Sequence, residues 1–215
     1  MKKYLKPTLK FIGVFAIFFV IIFSLLNIGA IIPRIRFYAK YLTNKQSSSQ
    51  FSETQIEPVQ NQDQNQSTNN NSTTQNYAEN HLIIPKLNMD VPIIWNVSDK
   101  DLMDQLLHGV VHYNGTALPD QDGNIFIMGH SSYYWLGPYS SIFSMIDKLN
   151  PGDQVGIMYQ EHFYIYTVEN KMVVKPDRVD LMKNSDRNML TLMTCVPIGT
   201  AWNRLIIQAN LTSII

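Results

Sequence analysis

The chain has 215 residues, and its 17 Lys and Arg are matched by 17 Asp and Glu. That length holds one domain of about 100–150 residues with accessory segments, and a net charge of zero offers no general field for nucleic acid or another strongly charged partner. The zero is nevertheless an average over unlike pieces. Residues 1–45 carry eight basic side chains and no acidic one, residues 46–80 carry four acidic and no basic one, and residues 81–215 carry nine basic against thirteen acidic. Each segment needs its own reading.

Residues 1–10 form a basic N-terminal segment with Lys2, Lys3, Lys6 and Lys10. The 23 residues from Phe11 to Pro33 contain no charge, and a helix of that length reaches roughly 34 Å, enough for a bilayer core. A cleaved signal peptide is the rival reading, because a basic stretch precedes the run and Gly29-Ala30 are small. Its apolar core would be longer than the roughly 7–15 residues such peptides use, and bulky Ile28 sits at the wrong place for cleavage after Ala30. An uncleaved transmembrane anchor over 11–33 is expected. Arg34, Arg36, Lys40 and Lys45 follow it, so the positive-inside comparison is a tie broken only by the terminal amine.

Residues 34–80 join this anchor to the rest. Within Asn44 to Asn80, 26 of 37 residues are Gln, Asn, Ser or Thr. Such a stretch buries too little apolar surface to offset the entropy of ordering, so a disordered spacer is expected. Phe51 and Tyr77 are too far apart to favour aggregation.

The domain proper runs from 81 to 215 and reads as short strands between turn signals: 82–85, 91–94, 124–128, 154–159, 162–168, 172–174, 189–193 and 205–211. Leu118-Pro-Asp-Gln-Asp-Gly123 and Asn150-Pro-Gly-Asp153 are turn clusters. Eight short strands predict a mainly β barrel or sandwich. Two short helices are predicted, around Asp99 to Leu107 with Ser98 as N-cap, and around Ser140 to Lys148.

Cys195 is the one cysteine in the chain, so no intramolecular disulfide forms. It ends the apolar stretch Met189 to Thr194 and precedes a loop with Pro197 and Gly199, after which Arg204 opens the next strand. Paired as an antiparallel hairpin, the two strands would bring thiol and guanidinium together, where the cation favours thiolate and can stabilise an oxyanion. A thiol nucleophile needs a proton-transfer partner. His130 is the best placed of five histidines, because it follows the apolar strand 124–128 and Gly129 and leads into Ser131-Ser-Tyr-Tyr-Trp-Leu-Gly137. His108 and His112 stand four apart but lack the glutamate of the zinc metalloprotease pattern, so no metal is expected.

The stretch Thr191-Leu-Met-Thr-Cys195 followed by Arg204, with Gly129-His130 after a hydrophobic strand, resembles the signature of the sortases, membrane-anchored cysteine transpeptidases of mainly Gram-positive bacteria. His81 to Ile94, Gly109-Val-Val-His-Tyr-Asn-Gly-Thr-Ala-Leu-Pro119 and Ile142-Phe143 through Gly152-Asp153 resemble further family segments in the same order. The resemblance implies an eight-stranded sortase-like β-barrel with two or three short helices. It implies that Cys195 attacks the carbonyl after threonine in an LPXTG-like sorting signal of a secreted protein and forms a thioester. His130 would protonate the leaving amine and deprotonate the incoming amine of a cell-wall precursor. Arg204 would hold the oxyanion with Thr194 assisting. Separately from the resemblance, the loops bearing Trp135 and Trp202 are expected to wall the substrate site, with a core or interface role as the alternative for either tryptophan. The resemblance also implies a single-pass membrane protein with a cytoplasmic N-terminus and an extracellular catalytic domain.

Nine steps separate Cys195 from Arg204, a spacing more like the pilin-type and housekeeping-like classes. No Asp-Pro dipeptide supplies a pilin-type lid, and no second apolar segment follows the last strand. A lidless, general-anchoring enzyme resembling classes D, E or A is therefore expected. No cofactor is expected; some family members use calcium, but no carboxylate site can be assembled here. Oligomeric state is left open. A Cys/His cell-wall hydrolase and a non-catalytic tethered barrel are the alternative readings.

Overall fold

The computed structural model describes residues 2–26, 35, 51, 77–132, 138–183 and 185–215, with side chains of the first helix described from 12 to 25. Helix α1 (Lys2–Leu26) exposes Ile12, Phe15, Phe18, Phe19 and Leu25. Among the described residues no helix is long and apolar enough to cross a membrane. Residues 27–33 of the predicted 11–33 span lie outside the described residues.

The domain is an eight-stranded closed barrel. Strands β1 (His81–Ile84), β2 (Met89–Val97), β3 (Val110–Tyr113), β4 (Asn124–Met128), β5 (Gln154–Tyr159), β6 (His162–Val174), β7 (Met189–Val196) and β8 (Asn203–Ile214) follow the order β1-β2-β3-β4-β7-β8-β6-β5. Strand β1 pairs with β5 to close the ring. Pairs β2–β3 and β4–β7 are parallel; the other pairs are antiparallel.

Alternation along the strands builds two apolar layers, because successive side chains point to opposite faces. Ile125 and Ile127 of β4, Leu190 and Leu192 of β7, and Leu205, Ile207 and Ala209 of β8 fill the barrel interior with Val155, Ile157 and Tyr166. Phe126 and Met128 point the other way and pack outside with Val111, Val97 and Leu106. That outer layer is covered by the short helix α2 (Leu102–Gln105) and by Met182.

The predicted number of strands is right through two compensating differences. Residues 110–113 form a strand that was not predicted, because four residues centred on His112 between Gly109 and Asn114 give too short a pattern. The predicted segments 162–168 and 172–174 are one strand. Polar Glu169-Asn170-Lys171 interrupts the apolar alternation, but β6 continues through a register shift between Val168 and Asn170. Ser98 does not cap a helix: its hydroxyl donates to the Asp101 carboxylate at 2.6 Å, and α2 begins at Leu102 without a side-chain cap. The predicted second helix is reduced to a 3-10 turn at Ile146–Lys148.

Two spacer aromatics are not free of the barrel. Phe51 and Tyr77 pack on Phe163 of β6, with ring centroids 4.9 and 5.0 Å away, and Phe51 N–H donates to Gln154 Oε1 at 2.6 Å. Gly156 makes this seat: a Cβ there would stand 2.3 Å from the Phe163 ring and 2.8 Å from that of Phe51. Of the predicted joining segment 34–80, residues 34, 36–50 and 52–76 lie outside the described residues.

Candidate active site

Strand register brings the three chemistry-bearing residues to one end of the barrel. In the antiparallel β7–β8 pair Cys195 stands directly opposite Arg204, a relation that puts Cβ atoms about 4.5–5.5 Å apart on one face. On the other side of β7, the parallel β4 pairs Met128 with Met193, and Gly129 N–H continues the ladder to Met193 O at 3.1 Å. Two further steps bring His130 level with Cys195. Counting by twos from the outward-facing Met128 and Met193 gives His130 and Cys195 the outer face as well. Cys195 and Arg204 thus face each other across β7 and β8, and His130 follows the end of β4 at the same end of the barrel.

The residues between them lock this arrangement. Thr194 alternates inward, is 3% exposed, and donates its hydroxyl to Gly129 O at 2.7 Å. That bond ties the residue before Cys195 to the residue before His130. Phe143 presses on the same point: a Cβ on Gly129 would lie 2.6 Å from its ring, and Phe143 N–H donates to His130 O at 2.9 Å. The glycine is required there by close approach.

Burial holds the His130 imidazole below its usual pKa, so the neutral ring is favoured near pH 7. Its Nε2 is buried and makes no hydrogen bond among the described residues. Arg204 Nη1 donates to Ala201 O and Asn203 O at 3.0 and 3.2 Å. The guanidinium is therefore braced against its own loop beside the half-buried free thiol.

A cavity of about 250 Å³ opens beside Cys195. Its walls include Thr194, Pro197 and Ile198 from the β7–β8 side, and Ser131, Phe143 and Asp147 from the segment after β4. His130 and Arg204 are not among its lining residues. Sequence reasoning missed Asp147 and Phe143 as site residues, because the 140–148 stretch read only as a helix. Trp202 does not line the cavity and is 73% exposed, although its loop contributes Pro197 and Ile198. Trp135 lies outside the described residues.

The other histidines have structural surroundings. His112 is fully buried; its Nε2 lies 2.9 Å from Ala117 O and from Thr116 Oγ1, and its Nδ1 accepts Asn96 N–H at 3.3 Å. These bonds use both ring nitrogens, and burial lowers its pKa. His81 contacts Asp90 at 2.6 Å. Among the described residues, no group of three or more His, Cys, Asp or Glu side chains is arranged to hold a metal ion.

Comparison with known proteins agrees with this geometry. The sortase domain family model matches residues 82–212, more than half of the chain. Sortase D of Bacillus subtilis is 30% identical over 137 residues, covering 62% of this chain and 63% of that protein. Sortase SrtE1 of Streptomyces coelicolor is 29% identical over 142 residues, covering 60% and 39%. The chain thus spans less than two thirds of the length of these curated relatives. Among solved structures, sortase C of Clostridium perfringens is similar with a TM-score of 0.51 and 30% identity, over 62% of this chain and 68% of that one. The Clostridium perfringens sortase D5 transpeptidase gives a TM-score of 0.52 and 25% identity, over 62% and 78%. An eight-stranded barrel with this strand order, a Thr-Cys strand end opposite an arginine and a matching family model lead to one assignment: the chain belongs to the sortase family.

Proposed function

We propose that the protein is a cysteine transpeptidase that attaches secreted proteins to a cell-wall amine. The observation that carries this reading is the pairing of Cys195 with Arg204 across β7 and β8, with His130 two residues past the end of the neighbouring β4. In the first step His130 takes the thiol proton of Cys195 and becomes an imidazolium, and the thiolate attacks the carbonyl carbon after threonine in an LPXTG-like signal. A C–S bond forms and the carbonyl oxygen becomes an oxyanion beside Arg204. As the oxyanion collapses, the Thr–Gly C–N bond breaks and the leaving nitrogen takes a proton from the His130 imidazolium. In the second step an acceptor amine attacks the thioester and yields a proton to neutral His130, and the C–S bond breaks to return the thiolate. Dividing one amide exchange into two acyl transfers lets a bound amine capture the acyl group in place of water.

The buried Nε2 of His130 and the braced Arg204 suit these roles. Thr194 supports them by position, since its hydroxyl is committed to Gly129 O. The uncharged run 11–33 is proposed as a single-pass anchor with the N-terminus in the cytoplasm and the barrel outside, where both substrates would be found. The test is a thioester adduct on Cys195, detected by mass spectrometry after incubating the detergent-solubilised full chain with a library of LPXTG-like peptides, followed by addition of an amine. Thioester formation and a ligated product are expected. Release of free acid alone would reassign the chain to the hydrolases, and no adduct with any peptide would leave a binding barrel.

A further inference from the structure

The segment after β4 is pinned at two places, and only one of them adjoins the three-residue chemistry. Phe143, Ile146 and Leu149, spaced three apart, turn into the interior cluster and are almost fully buried. Toward β4, Phe143 N–H donates to His130 O at 2.9 Å. Phe143, Ser144 and Asp147 also wall the cavity beside Cys195. A shift of this segment would therefore move the cavity wall and the backbone of His130 together.

The far end is held from β6. That strand carries an extra residue, Glu169, where its register against β8 shifts between Val168 and Asn170. Val168 faces the interior, and with unbroken alternation Asn170 would follow it there and Lys171 would face away. The bulge reverses this order. Lys171 pairs with Ile207, an interior residue of β8, and cross-strand partners share a face; re-aiming a side chain in this way is what a bulge does. Lys171 Nζ donates to Asp147 O, Leu149 O and Asn150 Oδ1 at 3.1, 2.7 and 3.1 Å. An ammonium has three donors and no acceptor, and here all three are used. Two of the oxygens are backbone carbonyls at the end of the 3-10 turn Ile146–Lys148, where a helical turn leaves its last carbonyls without partners of its own. The positive charge strengthens each bond.

Resting on the transpeptidase reading above, we propose that Lys171 is a positioning residue for formation of the thioester. Its ammonium fills a three-oxygen seat that fixes residues 143–150 over the barrel end, and through Phe143 it fixes the backbone of His130. Lys171 is not among the residues that line the cavity, so it acts on the reaction only through this segment. Removing the ammonium leaves a seat of three oxygens that another small cation with N–H donors can fill.

The experiment follows release of the leaving peptide from an LPXTG-like signal in a single turnover of the detergent-solubilised full chain, a step complete before any amine attacks. Its dependence on peptide concentration separates the acylation rate from peptide binding. Lys171→Ala is expected to acylate about tenfold more slowly, short of the ~10²-fold that a 1 Å misplacement can cost, with a smaller change in binding. Saturating methylammonium should restore most of the lost rate, whereas tetramethylammonium at equal ionic strength has no N–H and should restore none. Lys171→Met keeps an apolar stem in place, so it should be slow with either cation, which separates the missing ammonium from a packing defect. Wild-type acylation by Lys171→Ala or by Lys171→Met overturns the proposal. So does a slow Lys171→Ala chain on which methylammonium acts no better than tetramethylammonium, because a general loss of stability answers to both alike. A wild-type chain that releases no leaving peptide from any such signal would instead overturn the transpeptidase reading itself, and this inference with it.

Discussion

Replacing Thr194 by valine separates a positioning role from a direct one. The hydroxyl is buried and donates to Gly129 O at 2.7 Å, and valine fills the same shape without the donor. The loss comprises one buried hydrogen bond and one carbonyl left without its partner, about 1–3 kcal/mol in all. At a urea slope of about 1–3 kcal/mol per molar, the unfolding midpoint should fall by roughly 1 M. Ligation should fall with it, because the bond fixes the spacing between the strand ends bearing Cys195 and His130. Thr194→Ser keeps the donor and deletes a methyl, at about 0.8 kcal/mol, and should retain most activity. Urea titrations and kcat of the three proteins decide the matter. A valine variant as stable as wild type but with kcat reduced a hundredfold would refute the clamp and give the hydroxyl to the oxyanion, the role implied by the family resemblance.

Cys195→Ala should abolish the thioester adduct outright, read by mass spectrometry. Arg204→Lys keeps the charge but loses the planar fork, and a fall on the order of 10²–10³ in thioester formation is expected, the scale of one oxyanion donor. Acid should destabilise the fold: burial lowers the pKa of both His112 and His130, so their contribution is complete above the unfolded value near 6.5 and is lost as pH falls below it through the lower folded values. Urea midpoints measured from pH 7.5 to 5 should decline, and His130→Gln should decline less steeply. Phe51→Ala should remove the ring from its seat on Phe163 and increase protease cleavage near residue 51, with little change in barrel stability; unchanged cleavage would contradict docking in solution.

Much of the site was legible because it depends on sequence-adjacent patterns. Cysteine at the end of one apolar strand and arginine at the start of the next determine their proximity once the hairpin forms, and Cys195 does pair with Arg204. His130 was harder, since β4 and β7 are distant in sequence and parallel. Its position could be inferred only from its place after an apolar strand. Asp147 and the Thr194–Gly129 bond were not legible, because both arise from how the segment after β4 folds back over the barrel end. The same limit hid β3, whose four residues acquire meaning from parallel pairing with β2. Phe51 was read as isolated because Gly156 and Phe163, which seat it, are more than a hundred residues away.

The inward Thr194 and outward Cys195 show why register matters so much here. A one-residue slip of β7 against β4 and β8 would exchange their faces, driving the thiol into the barrel and exposing the hydroxyl. Leu190 and Leu192 oppose that slip by filling the interior, while Met193 packs in the outer layer beside Met128. Apolar burial fixes the face but is tolerant of small axial shifts, because one aliphatic contact resembles another. The Thr194–Gly129 bond is directional and restores the missing axial constraint. Chemistry at Cys195 needs that constraint, since acyl transfer tolerates little misplacement of its acid–base partner. The barrel core therefore chooses the side on which the thiol emerges, and one buried hydroxyl sets the distance at which it meets histidine.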